Sequence, residues 1–181
     1  VESSLSIPFM ILEWVEGRAM PGWLDKRHLN NEYLHPYEVL RLSLQITRAL
    51  SAVHKQGIIH RDIKPSNIMG SHSDRDLHAV LIDFGLAAFP HPLTEQPLTE
   101  MKPIMGTVGY QSPEMIREET VTKASDVFSL GLTLFEIASG VLPYASKEVR
   151  QMAYQSDYRP SPRAFPRTDL PAPYLDILMC M

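Results

Sequence analysis

Two short polar runs in the middle of the chain hold the side chains best suited to chemistry. The first is His-Arg-Asp-Ile-Lys-Pro-Ser-Asn at 60–67, and the second is Asp83-Phe84-Gly85, which begins sixteen residues after Asn67. Taken singly, each has an ordinary explanation: an Asp beside an Arg is commonly a salt bridge, and a lone His is commonly a packed core residue. The combination at this spacing is far less ordinary and indicates one site built from two neighbouring loops.

The side chains of these runs suit the transfer of a phosphoryl group. Asn67 and Asp83 offer hard oxygen ligands of the kind that Mg²⁺ prefers, and Mg²⁺ in turn suits a polyphosphate. Lys64 adds a positive charge for a phosphoryl group in transit. Asp62 has no metal to bind and is left to accept a proton from an attacking hydroxyl. Positioning, charge neutralisation and a base are the parts that phosphoryl transfer needs.

Helices and short strands flank the two runs and must position them. Pro36 suits the first turn of a helix and Gly57 its end, and the second long helix should stop at Gly140 and be buried on nearly every side. The first helix should pack its apolar stripe, Leu42, Ile46, Ala49, Leu50 and Val53, into the core. The predicted elements are a strand at Ile7 to Val15, a helix at Pro36 to Gln56, strands at Ile68-Met69 and Ala79 to Ile82 joined by a polar loop at Gly70 to Asp76, a long loop at Leu86 to Met105, a helix at Asp126 to Ser139 and a last helix from near Pro173.

Composition argues against several classes of function. The 181 residues include 17 Lys and Arg against 21 Asp and Glu, a net charge of −4, and 44% are hydrophobic, which is enough for a packed core. No basic stretch could follow a nucleic-acid backbone, and no apolar segment is long enough to span a bilayer. The single cysteine, Cys180, fits a reducing compartment, so we expect a cytoplasmic protein. The oligomeric state is not indicated.

The motifs, taken in order, resemble the large lobe of a eukaryotic-type (Hanks-type) protein kinase. Residues 60–67 match the catalytic loop, and Asp83-Phe84-Gly85 matches the magnesium triplet. Lys64, two positions after Asp62, resembles the serine/threonine branch. Further matches are Gly106 to Glu114 for the end of the activation segment, with Ser112 in place of the usual alanine, Asp126 to Gly131 for the start of the central helix, and Ile11 to Val15 for the last small-lobe strand and hinge.

The resemblance implies an α+β, protein-kinase-like fold: a mostly helical C-terminal lobe with small β-hairpins, the N-terminal lobe being largely missing. Residues 1–15 would be the last small-lobe strand and hinge, and 16–181 a C-terminal lobe incomplete at its C-terminal end. The chain begins with Val1, contains no Gly-x-Gly-x-x-Gly, and has its first lysine, Lys26, after the hinge. The phosphate-covering half of a kinase site is therefore expected in a longer parent protein.

The resemblance also assigns roles to single residues. The cofactors would be ATP and Mg²⁺, the substrate a protein with a Ser or Thr acceptor, and Asp126 would hold the backbone of the catalytic loop. The implied catalytic residues are Asp62, Lys64, Asn67, Asp83 and Thr107, with Asn67 and Asp83 as metal ligands. The implied nucleotide contacts are Leu12 as gatekeeper, Glu13 and Val15 through their backbone, Met69 as the floor under the ring, and Lys64, Asn67 and Asp83. The implied regulatory residues are Arg61 with a phosphate on Thr99 or, second, Thr94.

Two functional hypotheses follow. The first is a serine/threonine kinase domain that uses MgATP, of which this truncated chain alone would be inactive. The alternative is an inactive short form or pseudokinase that acts as a binding module. A small-molecule phosphotransferase is disfavoured by the Ser112-Pro113-Glu114 ending. For Arg61, Glu100 is an alternative partner that would need no phosphorylation.

Overall fold

The computed structural model describes residues 11–22, 24, 33–73, 76–84, 109–144, 146–155, 165 and 167–180. In chain order the elements are β1 (Arg18–Ala19), α1 (Pro36–Lys55), a 3-10 turn (Pro65–Asn67), β2 (Ile68–Ser73), β3 (Asp76–Leu81), α2 (Pro113–Ile116), α3 (Lys123–Ser139), α4 (Ser146–Tyr154) and α5 (Ala172–Cys180). Helices predominate over one small antiparallel sheet. The predicted α+β class is confirmed.

Helix α1 has the predicted position because its ends are fixed locally. At the N-terminus His35 and Glu38 form a capping box, and Pro36 occupies the first turn. At the C-terminus Gly57 has a φ of 77°, a left-handed conformation that only glycine adopts readily. The buried face consists of Val39, Leu42, Ser43, Ile46 and Leu50, while Ala49 and Val53 of the predicted stripe are half-buried.

Helix α3 is the central scaffold. It begins at Lys123, three residues before the predicted start at Asp126, because Thr122 and Ser125 form a capping box that adds a first turn. It ends as predicted, with Gly140 in the left-handed conformation at a φ of 78°. Most of its residues are buried, which confirms the prediction of a core helix.

The sheet is larger than the sequence predicted. Its order is β1-β2-β3, and β2 pairs with β3 from Ile68↔Leu81 to Ser73↔Asp76. The predicted loop at Gly70 to Asp76 was therefore wrong for residues 70–73 and 76, which belong to β2 and β3, and residues 74 and 75 lie outside the described part. Its polar residues continue both strands, because cross-strand backbone hydrogen bonds do not require apolar side chains.

The chain approaches β2 closely just before β1 begins. Strand β1 pairs Ala19 with Met69, and just before it Gly17 has a φ of 135°. A Cβ at position 17 would lie 2.4 Å from the carbonyl oxygen of Gly70. Only glycine therefore fits where the chain enters the sheet.

Two further differences concern elements away from the sheet. The predicted strand at Ile7 to Val15 was wrong for residues 11–15, which have no regular secondary structure; residues 7–10 lie outside the described part. A strand needs a neighbour for its backbone groups, and none of the described residues pairs with 11–15. Helix α4 was not predicted, whereas α5 begins close to the predicted Pro173. The loop predicted at Leu86 to Met105 also lies outside the described residues.

The core joins distant parts of the chain. Its buried side chains come from α1, β2, β3, α3 and α5. Ser43 on α1 donates to the carbonyl of Val39 at 2.8 Å and so accepts from the Tyr174 hydroxyl on α5, also at 2.8 Å. Buried Arg167 donates to the carbonyl of Ala138 in the last turn of α3 at 3.2 Å. The C-terminal part thus completes the core around α1 and α3.

Candidate active site

The loop after α1 is held by one buried carboxylate. Asp126, 1% exposed on α3, accepts from the backbone N–H of His60 and of Arg61, each at 2.8 Å. His54 in the last turn of α1 donates to the same carboxylate at 2.7 Å. Arg61 has a φ of 69°, a conformation that costs a non-glycine residue free energy and persists where surrounding contacts fix it. The predicted role of Asp126 in holding this backbone is confirmed.

Asp62 is the focus of the loop. Its Oδ2 lies 2.7 Å from Lys64 Nζ and accepts from Asn67 Nδ2 at 2.9 Å. Asn67 Nδ2 also reaches the backbone oxygen of Asp62 at 2.8 Å. Among the described residues no hydrogen bond is made to Oδ1. One carboxylate oxygen is thus fixed by a cation and an amide, and the other remains available to a hydroxyl.

Backbone contacts bring the second polar run beside the first. Ile82 N–H donates to the carbonyl of Asn67 at 2.9 Å. The His60 ring nitrogen Nε2 donates to the carbonyl of Ile82 at 3.2 Å, because a carbonyl can only accept. The ring of Phe84 lies 4.8 Å from that of His60, centroid to centroid. Asp83, between these anchors, has a φ of 64°. The predicted convergence of Asp62, Asn67 and Asp83 on adjoining segments is what the structure shows.

His60 links the two runs in its neutral form. With Nε2 donating to Ile82, Nδ1 accepts from the backbone N–H of Asp62 at 3.3 Å. Burial lowers the pKa of His60 below its ordinary value, outweighing the attraction of Asp126, Asp62 and Asp83. Protonation would remove the acceptor that Asp62 uses. The connection therefore depends on an uncharged imidazole.

Acid should weaken the fold through this histidine. Below about pH 6.5 the unfolded chain takes up a proton at position 60 that the folded chain does not, so the free energy of unfolding falls as the pH falls. The loss continues down to the lowered pKa of the folded state. In denaturant titrations between pH 7.5 and 5, we expect His60→Gln to reduce the pH slope by up to about 1.4 kcal/mol per pH unit. His78→Gln, at an exposed histidine, is the control, and the slope should change more in His60→Gln; equal slopes in wild type and His60→Gln would contradict the assignment.

A shallow cleft lies beside Asp62 on the side of α2. It is lined by Asp62, Ile63, Tyr110, Gln111 and Met115, together with Arg61 and Ser129. The Tyr110 hydroxyl donates to Glu136 on α3 through a short hydrogen bond, and its carbonyl accepts from Ser129 at 2.7 Å. Burial, with the neighbouring carboxylate, raises the pKa of Tyr110 far above its ordinary value, so the phenol stays a donor. This wall of the cleft is thus anchored to the central helix.

Ser112, at the edge of this wall, is a buried hydroxyl without a partner among the described residues. It is 0% exposed and its Oγ makes no hydrogen bond, although Ser112 is the residue that precedes the first turn of α2. An unsatisfied buried hydroxyl costs free energy. The alanine usual at this position of the resembled family has no such group to bury.

Ser112→Ala should therefore stabilise the protein. We expect the free energy of unfolding to rise by about 1–2 kcal/mol, because a desolvated and unpaired oxygen is removed. Ser129→Ala is the matched control, since Ser129 is equally buried but donates to Tyr110, and it should lose about 1 kcal/mol. Equal destabilisation of both variants in denaturant titrations would show that Ser112 has a partner after all.

The residues expected at the nucleotide base lie along the 11–16 segment and on β2. Leu12 is 72% exposed and Glu13 is also exposed, whereas Val15 is half-buried. Met69, half-buried on β2, faces Ala19 across the β1–β2 pair. The proposed floor is therefore positioned by the sheet, opposite Ala19, which follows this segment by three residues. The nucleotide contacts themselves stay predictions.

Several predicted residues lie outside the described part of the chain, namely Thr107, Thr94, Thr99 and the alternative partner Glu100. Arg61 is described: its Nε is buried and has no partner among the described residues. Sequence reasoning missed His54, whose signal is its position in the last turn of a helix that ends just before the catalytic loop.

Asn67 and Asp83 fit a magnesium ion by chemistry, and the Ile82–Asn67 backbone bond brings their segments together. The amide nitrogen of Asn67 is committed to Asp62, which leaves its oxygen to serve as a ligand. Within the described ranges there is no cluster of three or more His, Cys, Asp or Glu able to hold a metal. Mg²⁺ is commonly bound by one or two carboxylates together with substrate phosphates, so a two-residue site is sufficient.

No helix in the described ranges has the length and apolar character to cross a bilayer.

The known proteins that this chain resembles are protein kinases. A family model described as protein kinase domain matches residues 3–171. Serine/threonine-protein kinase PrkC of Bacillus subtilis is 33% identical over 158 residues, covering 87% of this chain and 23% of PrkC. Serine/threonine-protein kinase PknL of Mycobacterium tuberculosis is 32% identical over 172 residues, covering 95% and 41%. Serine/threonine-protein kinase PknB of Mycolicibacterium smegmatis is 35% identical over 149 residues, covering 82% and 23%. The chain thus spans less than half the length of each.

Proposed function

Because this chain belongs to the protein kinase domain family, as its motifs predicted, we propose that its parent protein transfers the γ-phosphoryl group of MgATP to a Ser or Thr hydroxyl of a protein. The observation that carries the proposal is the state of Asp62. Its Oδ2 is fixed by Lys64 and Asn67, and its Oδ1 makes no hydrogen bond within the described residues. A base held at one oxygen and open at the other suits the capture of a hydroxyl proton.

Each side chain of the site has one role in this reaction. Asp62 orients the acceptor hydroxyl and takes its proton through Oδ1, while Lys64, 2.7 Å from Oδ2, is close enough to steady the phosphoryl group as it arrives. Asn67 and Asp83 would hold the magnesium ion, which neutralises the charge of the nucleotide phosphates when bound. The acceptor residue would approach Asp62 over the shallow cleft lined by Tyr110, Gln111 and Met115.

The phosphate-binding half of the site belongs to the parent protein in this proposal. A kinase covers its nucleotide with a Gly-rich loop and a lysine that precede the hinge, and this sequence contains no Gly-x-Gly-x-x-Gly. The apolar side chains of Ile11 and Trp14, 87% and 86% exposed, would contact that half. Residues 1–15 would then be the junction between the lobes.

The 181-residue chain alone should accordingly be inactive. Electrostatic stabilisation is usually the largest contribution to catalysis, and part of it would be absent. We expect no phosphate transfer from MgATP to a generic protein substrate above background, and transfer at an ordinary kinase rate by the parent protein. Robust activity of the isolated chain would contradict the division of the site. An inactive parent with intact nucleotide binding would favour the alternative, a binding module without catalysis.

Control of the site is proposed to act on Arg61. Its Nε is buried without a partner among the described residues, which supports an anionic partner from a segment outside them. A phosphate on Thr99, or on Thr94, could form charge-assisted hydrogen bonds with this guanidinium. The carboxylate of Glu100 is the competing partner. We also propose a cytoplasmic location, which a chain with one cysteine fits.

A further inference from the structure

Gln45, on α1, uses both ends of its side-chain amide on the backbone of β3. Its Nε2 donates to the carbonyl of Leu77 at 3.0 Å, and its Oε1 accepts from the N–H of Ala79 at 2.8 Å. β3 is the outer strand of the sheet, so these groups face away from β2. The glutamine amide thus takes the place that a further strand would occupy and fixes β3 along its length.

The strand that Gln45 holds leads directly into the proposed metal site. Leu81 ends β3, Ile82 bonds to Asn67 and to His60, and Asp83 follows. Leu77 and Leu81 are buried in the core beneath α1. A change in how β3 lies on α1 would therefore reach Asp83 through four residues of continuous backbone.

We propose that Gln45 is a positioning residue for Asp83, and that its amide sets the distance between the carboxylate of Asp83 and the oxygen of Asn67. This inference rests on the proposed function, in which these two residues hold the magnesium ion of the nucleotide. Gln45 touches neither substrate nor metal. Its effect should appear in the affinity for the magnesium nucleotide and much less in the turnover of bound substrate.

Replacement by glutamate tests the idea with almost no change of shape. At neutral pH the carboxylate introduced by Gln45→Glu can still accept from Ala79, but it has lost the donor to Leu77 and faces that carbonyl with a negative charge. Partial burial and the facing Leu77 carbonyl disfavour the ionised form, so they raise the pKa of this carboxyl above its ordinary value; when protonated, it regains a donor and an acceptor. A positioning effect should therefore be reversed by acid, whereas a packing defect should not.

The measurement is the dissociation constant of magnesium nucleotide for the parent protein, each variant being compared with wild type at pH 8 and at pH 5. The ionisable residues nearest in sequence to Gln45 and to its β3 partners, Arg41 and Arg48 on α1 and His78 on β3, are the same in wild type and variant. Gln155→Glu, on an exposed glutamine away from the sheet, controls for added charge.

We expect Gln45→Glu to weaken binding about fivefold at pH 8, the effect of one ordinary hydrogen bond, and to return to within about twofold of wild type at pH 5. Turnover at saturating nucleotide should stay within about twofold at pH 8. Wild-type affinity at pH 8, or an equal loss at both pH values, would overturn the inference. Failure of the wild-type parent to bind magnesium nucleotide would instead contradict the proposed function.

Discussion

Asp62→Asn should lower the turnover of the parent protein by about 10²–10⁴-fold, the range expected for loss of a positioned base. The amide cannot take the proton of the acceptor hydroxyl, but its oxygen can still accept from Lys64 and Asn67, which lie on Oδ2. The local structure should therefore survive the change. Thermal unfolding close to that of wild type would show that the loss is chemical.

Nucleotide affinity separates Asp62 from Asp83. Because Asp62 has no proposed metal contact, Asp62→Asn should change the dissociation constant of magnesium nucleotide little. Asp83→Asn removes a metal ligand and should clearly raise the dissociation constant of magnesium nucleotide. Both constants can be measured by titration with the nucleotide in the presence of Mg²⁺, alongside single-turnover rates. If the two variants gave the same binding defect, the assignment of base and metal ligand would be wrong.

Asp126→Asn should have the largest effect on stability. The buried carboxylate accepts two backbone N–H groups on different oxygens and the His54 ring as well. An amide offers one acceptor, so its NH₂ group would face a backbone donor and leave that donor unpaired. Hydrogen bonds to charged groups are each worth about 1.5–3 kcal/mol, and we expect a loss of about 2–4 kcal/mol in the free energy of unfolding.

The control for this variant is Asp176→Asn on α5, an exposed carboxylate of the same type, which should stay within about 0.5 kcal/mol of wild type. Amide hydrogen exchange gives a second readout, because the N–H groups of His60 and Arg61 should lose protection first. Unchanged protection at these two positions, together with a small stability change, would mean that the loop is held by other contacts.

Local signals made the loops and helix ends predictable from sequence. Pro36 and Gly57 bracket α1, and Gly140 ends α3, because each acts through its own backbone geometry. The catalytic loop and the triplet at Asp83 carry side chains whose combination has few other uses. For these features the residues that specify the structure are neighbours in sequence.

Features that depend on distant partners were missed or misplaced. Residues 11–15 are as apolar as a strand, yet without a neighbouring strand in the described structure they form none. The polar extension of the β2–β3 hairpin follows from cross-strand pairing, and the bonds of Gln45 join residues more than thirty positions apart. Ser112 differs from alanine by one atom, and only its surroundings reveal the cost. None of these has a signature within a short window of sequence.

The contact between Ser43 and Tyr174 cannot form until the chain between the two residues has been synthesised. The two residues are 131 positions apart, and at about 5–20 residues per second a ribosome needs roughly 7–26 s to make the intervening chain. Through that interval α1 lacks the α5 side chains Tyr174 and Leu178, which belong to the same buried cluster as its own Leu42. The part of the core around Ser43 therefore stays incomplete for seconds, long enough for a chaperone to bind the nascent lobe, until α5 emerges.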